Sequence, residues 1–204
     1  MADSFVSGII LAAGRSSRLG RPKQLLDLGG SPVLSHVLRN AHAAGLDDLV
    51  LVLGHEAEAI RAAVAPQLGD VRIVINREFA QGQSTSLHAG LHAVAAESAA
   101  AVILLGDQPH VGPEVIAALV AAYHESGAPI ILPSYGGILA NPVLIDRTLF
   151  PNALAVTGDK GARDIVRAHR HQATVVSFPD RRPPSDIDTE EDYAELCQSW
   201  PITP

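Results

Sequence analysis

Cysteine occurs once in the 204 residues, at Cys197. One thiol excludes an internal disulfide framework and any cysteine-rich metal site, and it makes a reducing cytoplasm the expected compartment. Charge is sparse, at 18% against 47% hydrophobic residues, a balance that rules out a disordered chain. Positive charge is sparser still: 15 Lys and Arg face 22 Asp and Glu, for a net charge of −7. That is the reverse of what a nucleic-acid-binding surface carries, so no nucleic-acid partner is expected. Long apolar runs are missing too. The run Val6 to Ala13 is broken by Ser7 and Gly8, has no basic leader, and falls far short of the roughly 20 residues that span a bilayer. No membrane association is expected.

Several catalytic signatures are also absent. No GxGxxG dinucleotide fingerprint occurs, which leaves a nucleotide-dependent oxidoreductase as a distant possibility. Gly14 and Gly20 enclose five residues and Arg21 follows, which departs from the GxxxxGK[ST] phosphate loop. No GxSxG elbow is present to organise a hydrolase triad. His88 and His92 stand four apart on an expected helix, without the glutamate of a zinc protease motif. His169 and His171 read as solvated, and Cys197 as a packing residue of a C-terminal helix.

What is present alternates. Short Val/Ile/Leu runs at Val6–Leu11, Leu49–Leu53, Val71–Ile75, Ala101–Leu105, Ile130–Leu132, Val143–Ile145 and Thr174–Ser177 suit strands covered on both faces. Between them lie helical segments. Ser31 is placed to cap a helix opened by Pro32 and stopped at Gly45. Gly112-Pro113 opens another that ends at Gly127. Further helices are expected at Glu56–Ala65, Ser86–Ala96, Lys160–Arg170 and Thr189–Gln198. This rhythm argues a doubly wound α/β fold with a mostly parallel sheet, in one domain over residues 1–204. The stiff Arg181-Arg182-Pro183-Pro184 loop is expected to return the C-terminal segment to that sheet.

Four stretches can carry chemistry. The loop Leu11-Ala12-Ala13-Gly14-Arg15-Ser16-Ser17-Arg18-Leu19-Gly20-Arg21-Pro22-Lys23 follows the first strand. Its small residues can bring backbone N–H groups to phosphate oxygens, and four cations fall within nine positions of an acidic chain. Gly106-Asp107-Gln108-Pro109 sets a carboxylate at the tip of a central strand; Mg²⁺ needs only one or two such carboxylates beside substrate phosphates. In Asp186-Ile187-Asp188-Thr189 the two aspartates share one face of an extended segment, and either can be a second metal ligand. The dipole of the helix that follows accounts for Glu190, Glu191 and Asp192. Gly82-Gln83-Ser84-Thr85-Ser86 precedes a helix and either caps it or binds the edge of a base.

Together, Leu11-Ala12-Ala13-Gly14-x-Ser16-x-Arg18-x-Gly20-x-x-Lys23 resembles the LAAGxSxRxGxxK signature of the nucleotidyltransferase superfamily. Gly106-Asp107-Gln108-Pro109, Gly158-Asp159-Lys160-Gly161-Ala162-Arg163 and Asp186-Ile187-Asp188-Thr189 make the chain similar to the branch that contains molybdenum cofactor cytidylyltransferases. The resemblance covers essentially the whole chain. It implies transfer of CMP from CTP to the terminal phosphate of a phosphorylated pterin acceptor, molybdopterin, with release of pyrophosphate and with a molybdoenzyme as a possible partner. Carried over by residue, it assigns Leu11, Ala12, Ala13, Gly14 and Arg15 to the nucleotide, and Lys23 and Arg18 to the triphosphate. Gly82, Ser84 and Gly106 also fall to the nucleotide, while Asp107 and Asp188 fall to Mg²⁺, with Asp107, Lys23 and Arg18 as the catalytic set. Ala13 stands where the guanylyl branch has Gly, which favours CTP; GTP or another triphosphate with a different acceptor, and a non-catalytic nucleotide- or pterin-binding factor, are the alternatives. Ala140-Asn141-Pro142 departs from the family's Gly-His-Pro, which leaves the acceptor open.

Overall fold

The computed structural model describes residues 4–200; the two ends of the expected domain, 1–3 and 201–204, lie outside the described residues. In chain order the first half contains β1 (Val6–Ala12), β2 (Asp27–Leu28), β3 (Ser31–Pro32), α1 (Val33–Ala43), β4 (Asp48–Leu53), α2 (Ala57–Ala63), α3 (Ala65–Leu68), β5 (Arg72–Ile75) and α4 (Gln83–Ala93). The second half contains β6 (Ala100–Leu105), α5 (Pro113–Ser126), β7 (Ile130–Tyr135), β8 (Ile138–Leu139), β9 (Val143–Asp146), α6 (Phe150–Leu154), α7 (Ala162–His169), β10 (Ala173–Phe178) and α8 (Glu190–Ser199). One sheet runs in the order β10-β7-β9-β6-β1-β4-β5, with β8 beside β7. It is mostly parallel, as expected; β9 is the inserted antiparallel strand, between β6 and β7.

The central strands are apolar on both faces because both faces are covered. Ile10, Leu51, Leu53, Val102 and Leu104 pack with Leu34, Leu38, Val115 and Leu119 of α1 and α5. The alternate residues Ile9, Leu11, Val50, Val52 and Ile103 pack with Leu87, Leu91, Ala153 and Ile165 of α4, α6 and α7. A third, smaller cluster of Leu19, Leu26, Leu28, Val33, Ile187 and Leu196 fixes α8 against the β2–β3 ribbon.

Several expected boundaries move. Ser31 does not cap α1: it pairs with Leu28 in the β2–β3 ribbon, and α1 starts after Pro32 without a side-chain cap. The segment expected as Glu56–Ala65 breaks at Val64 because Pro66 cannot continue the ladder. The helix expected from Ser86 begins earlier, at Gln83. Cys197 is exposed rather than packed. Gly127 ends α5 in the left-handed conformation, as a C-terminal glycine should. Among the described residues no helix is long and apolar enough to cross a membrane.

One polar knot at the strand entrances has a measurable consequence. Asp48 accepts from Ser7 Oγ at 2.9 Å, from the Ala95 N–H at 3.1 Å and from Arg72 at 2.5 and 3.1 Å. Burial pushes its carboxyl up, but these donors together hold it below the usual aspartate value. A carboxyl lowered by folding stabilises the fold above its unfolded pKa, near 4, and loses that contribution as the pH falls. Asp48→Ala is therefore expected to cost about 2 kcal/mol at pH 7. In urea unfolding, the gap between wild type and variant should shrink below about pH 4.

Candidate active site

The chain moves outward from β1 through β4 to β5, and β6 then returns to the other flank of β1. The loops leaving β1 and β6 part at this reversal, forming the crevice where ligands of doubly wound sheets bind. The two loop starts are held tightly together. The Gly106 N–H donates to the Leu11 carbonyl at 2.9 Å, and a Cβ on Gly106 would stand only 2.8 Å from that of Ala12. Leu11, Ala12 and Ala13 are buried, while Gly14 and Arg15 emerge into the open. Arg15 stacks over Phe79, 5.3 Å from its ring centre.

Ser16 then reverses the loop. It takes a left-handed φ of 51°, its carbonyl accepts from the Leu19 and Gly20 N–H groups, and its hydroxyl accepts from the Lys23 N–H at 3.1 Å. The return delivers Lys23 to the tip of β6. Gln24 anchors it from below: the side chain is buried, and Nε2 donates to the Ala12 carbonyl at 3.1 Å.

Lys23 Nζ lies 2.5 Å from Asp107 Oδ2 and 3.3 Å from Asp188 Oδ1. Asp188 Oδ2 also receives Arg18 at 2.8 Å. Burial alone would push the Lys23 ammonium down, but the two carboxylates outweigh it and hold it above the ordinary lysine value. Burial pushes the Asp107 carboxyl up, with Lys23 opposing. The carboxylate of this 8%-exposed side chain thus depends on a nearby cation for its charge.

Asp188 reaches the crevice because the C-terminal segment is tied down at several points. Ile187 is buried in the third cluster, and Thr189 and Asp192 form a reciprocal cap on α8. Tyr193 donates to the Asp27 carbonyl, and Arg21 pairs with Glu190 at 2.9 Å. Arg181 binds Glu114 at the start of α5, which ties the 181–184 loop to that helix. The two aspartates left as alternatives have different partners. Asp188 meets Lys23, whereas Asp186 accepts from Gln108 Nε2 at 2.7 Å.

The Gly82–Ser86 stretch has a different setting. Gly82, at φ 122°, lies so close to Gly158 that a side chain would strike its carbonyl carbon, and the Ser84 N–H donates to the Gly158 carbonyl at 3.0 Å. Ser84 is 2% exposed. These residues hold the 158–161 loop against the start of α4, and the geometry gives Ser84 no open face toward the crevice. Ala140 and Asn141 line a separate cavity of about 240 Å³, which begins one residue from Asp107, at Gln108. The part played by Ser16, Gln24 and Gln108 was not read from the sequence. Polar residues inside apolar or small-residue runs were the available signal for it.

Two carboxylates from distant parts of the chain converge on one atom, Lys23 Nζ. A pair of hard oxygens at one point fits a small divalent cation such as Mg²⁺, which takes one or two carboxylates and completes its shell with water and phosphate. Among the described residues no group of three or more His, Cys, Asp or Glu gathers to hold a metal.

The MobA-like NTP transferase domain matches residues 8–174. This chain belongs to that family. It is a nucleotidyltransferase, and the matched span takes in the loop after β1 and the tip of β6. Relatives cover most of its length. The purine catabolism protein PucB of Bacillus subtilis is 32% identical, over 95% of this chain and 96% of its own. The nicotine blue oxidoreductase of Paenarthrobacter nicotinovorans is 31% identical, over 94% and 96%. The crystal structure of Rv0371c from Mycobacterium tuberculosis superposes with a TM-score of 0.88 at 35% identity, covering 97% of this chain and 100% of that one. A manganese complex of Rv0371c superposes at 0.82 with 33% identity over the same shares.

Proposed function

We propose that the protein transfers CMP from CTP to the terminal phosphate of a phosphorylated pterin, molybdopterin, and releases pyrophosphate with the help of Mg²⁺. The observation that carries this reading is the convergence of Lys23, Asp107 and Asp188 at the mouth of a Gly-rich loop. A binding module has no use for two carboxylates turned toward an anionic ligand, whereas phosphoryl chemistry needs both a cation site and a charge clamp. The manganese complex of the Mycobacterium protein supports a divalent ion in this family member's site as well. Ala13, packed beside Gly54 at the end of β4, supports cytidine through the resemblance noted above.

The acceptor phosphate is largely dianionic at neutral pH, its second pKa being about 6. One of its oxygens attacks the α-phosphorus of CTP, and the bond from that phosphorus to the bridging oxygen breaks to release pyrophosphate. A dianionic phosphate needs no general base to attack. The work of the chain is positioning and charge neutralisation. Asp107 and Asp188 would hold a divalent cation, which neutralises phosphate charge when bound. Lys23 and Arg18 lie beside them to face the triphosphate, and the N–H groups at Gly14 and Arg15 are free of the sheet ladder.

Incubation with each of the four nucleoside triphosphates, Mg²⁺ and molybdopterin, followed by pyrophosphate assay, tests the reading. Release is expected with CTP and at least about tenfold less with GTP, the discrimination that one mispaired hydrogen bond supplies. A preference for GTP or a sugar phosphate would replace the substrate but keep the reaction class. Tight triphosphate binding with no pyrophosphate would make the protein a carrier. Redox turnover without pyrophosphate would align it with what the name of the Paenarthrobacter protein says of that protein.

A further inference from the structure

Three successive carbonyls of the loop after β1 are pinned by three different parts of the chain. The Gly106 N–H donates to Leu11 at 2.9 Å, the Gln24 amide to Ala12 at 3.1 Å, and the His55 N–H to Ala13 at 3.3 Å. Two of these donors are backbone groups just beyond β6 and β4. Ala12 alone depends on a side chain. A peptide unit is planar and trans, so a carbonyl fixed on one side aims the following N–H to the other. Pinning Ala12 therefore aims the Ala13 N–H, and pinning Ala13 aims that of Gly14. Neither of these N–H groups, nor that of Arg15, donates to a backbone carbonyl among the described residues. Successive unpaired N–H groups of this kind can cradle an anion.

Packing does not explain an amide at position 24. A carbonyl only accepts, so Nε2 must face Ala12 and Oε1 is left over. Gln24 is 2% exposed, and Oε1 is buried with no hydrogen-bond partner among the described residues. An unpaired buried carbonyl offsets the one bond that the amide makes, so an apolar side chain of similar size would serve the fold as well. The short helical turn Lys23–Leu25 does not need the amide either: the Leu25 N–H donates to Pro22 and the Leu26 N–H to Lys23. What the amide alone supplies is a donor to the Ala12 carbonyl. We infer that Gln24 is a positioning residue, which fixes the Ala12–Ala13 peptide plane so that the Ala13 N–H faces the triphosphate. The inference rests on the nucleotidyltransferase reading above and adds to it a buried residue that acts through the loop backbone.

Gln24→Met keeps the reach of the side chain and removes both ends of the amide. One unpaired acceptor, Oε1, is exchanged for another, the Ala12 carbonyl, so the Tm is expected to stay within about 4 °C of wild type. With Mg²⁺ and molybdopterin saturating, the KM for CTP should rise at least about tenfold, the loss when a hydrogen bond to a charged group is misaimed. The kcat should stay within about threefold and the acceptor KM within about twofold, because Lys23 and Asp107 keep their places and the loop grips the triphosphate before and during reaction alike. Gln24→Leu repeats the test should the methionine variant not fold. Failure of both to fold would make Gln24 structural and overturn the inference. An unchanged KM for CTP would overturn it too, as would a joint loss of Tm, kcat and both KM values, the pattern of a loosened fold. If wild type turns over GTP instead, GTP is the probe throughout. Wild-type turnover with variants that match it defeats this inference alone; if wild type neither binds nor turns over a triphosphate, the nucleotidyltransferase reading falls and takes the inference with it.

Discussion

Pyrophosphate release by Asp107→Ala is expected to fall by at least about 10²–10³-fold, the range lost when one preorganised charge contact at a reacting centre is removed. The expectation follows from position. Asp107 sits at the tip of β6, beside β1, where Gly106 lets the two strand ends meet. Its carboxylate is 8% exposed and lies 2.5 Å from Lys23 Nζ, so little water is available to replace it. The fold should survive, because Lys23 keeps Asp188 as a partner at 3.3 Å. Saturating CTP and acceptor separate the effects: a kcat loss with folding intact places Asp107 on the reaction path. Near-normal turnover in this variant would remove Asp107 from the mechanism and leave the converging carboxylates as a structural ion pair.

Lys23→Met should show a large effect on two readouts. The substitution keeps most of the stem and removes the ammonium that neutralises a buried carboxylate. Breaking a buried pair from one side costs roughly 3–5 kcal/mol, which for a chain of this length corresponds to a fall of about 6–20 °C in Tm. On the proposed reading, Lys23 and a divalent cation are alternative partners for the same two carboxylates. Mg²⁺ or Mn²⁺ without nucleotide should therefore raise the Tm of the variant more than that of wild type, since a ligand stabilises in proportion to its occupancy of the native state. Pyrophosphate release should still drop by at least about 10²-fold, because the contact to the triphosphate is gone. Equal metal-induced shifts in the two proteins would show that Lys23 and the ion do not share a locus.

The legibility of the site varied with the kind of constraint. Lys23, Arg18 and Asp107 could be picked out because a loop after the first strand and a carboxylate after a central apolar run must both open at the same sheet edge. Asp188 was visible as one of two candidates. Alternation placed Asp186 and Asp188 on one face, and Ile187 is indeed buried opposite them, but only the tertiary structure shows that they have different partners. Gly82 and Ser84 show the opposite case. Small and hydroxylated residues before a helix suit a ligand or a cap equally, and here they pack on the 158–161 loop. The Ser31 cap failed for a related reason: a Ser-Pro step reads as a helix start, yet pairing with Leu28 placed it in a short ribbon that carries α8.

Periodicity, strand composition and turn residues depend on neighbours a few positions away. They sufficed to determine a mostly parallel doubly wound sheet, its crevice edge and the cationic loop beside it. The tertiary structure decided what depends on contacts between remote stretches: Asp188 crossing 165 positions to reach Lys23, and Asp186 turning instead to Gln108. It also decided the antiparallel course of β9 between β6 and β7. Those outcomes follow from burial and hydrogen-bond satisfaction across the whole chain, because a buried carboxylate or amide takes whichever partner the fold brings within 3 Å or so.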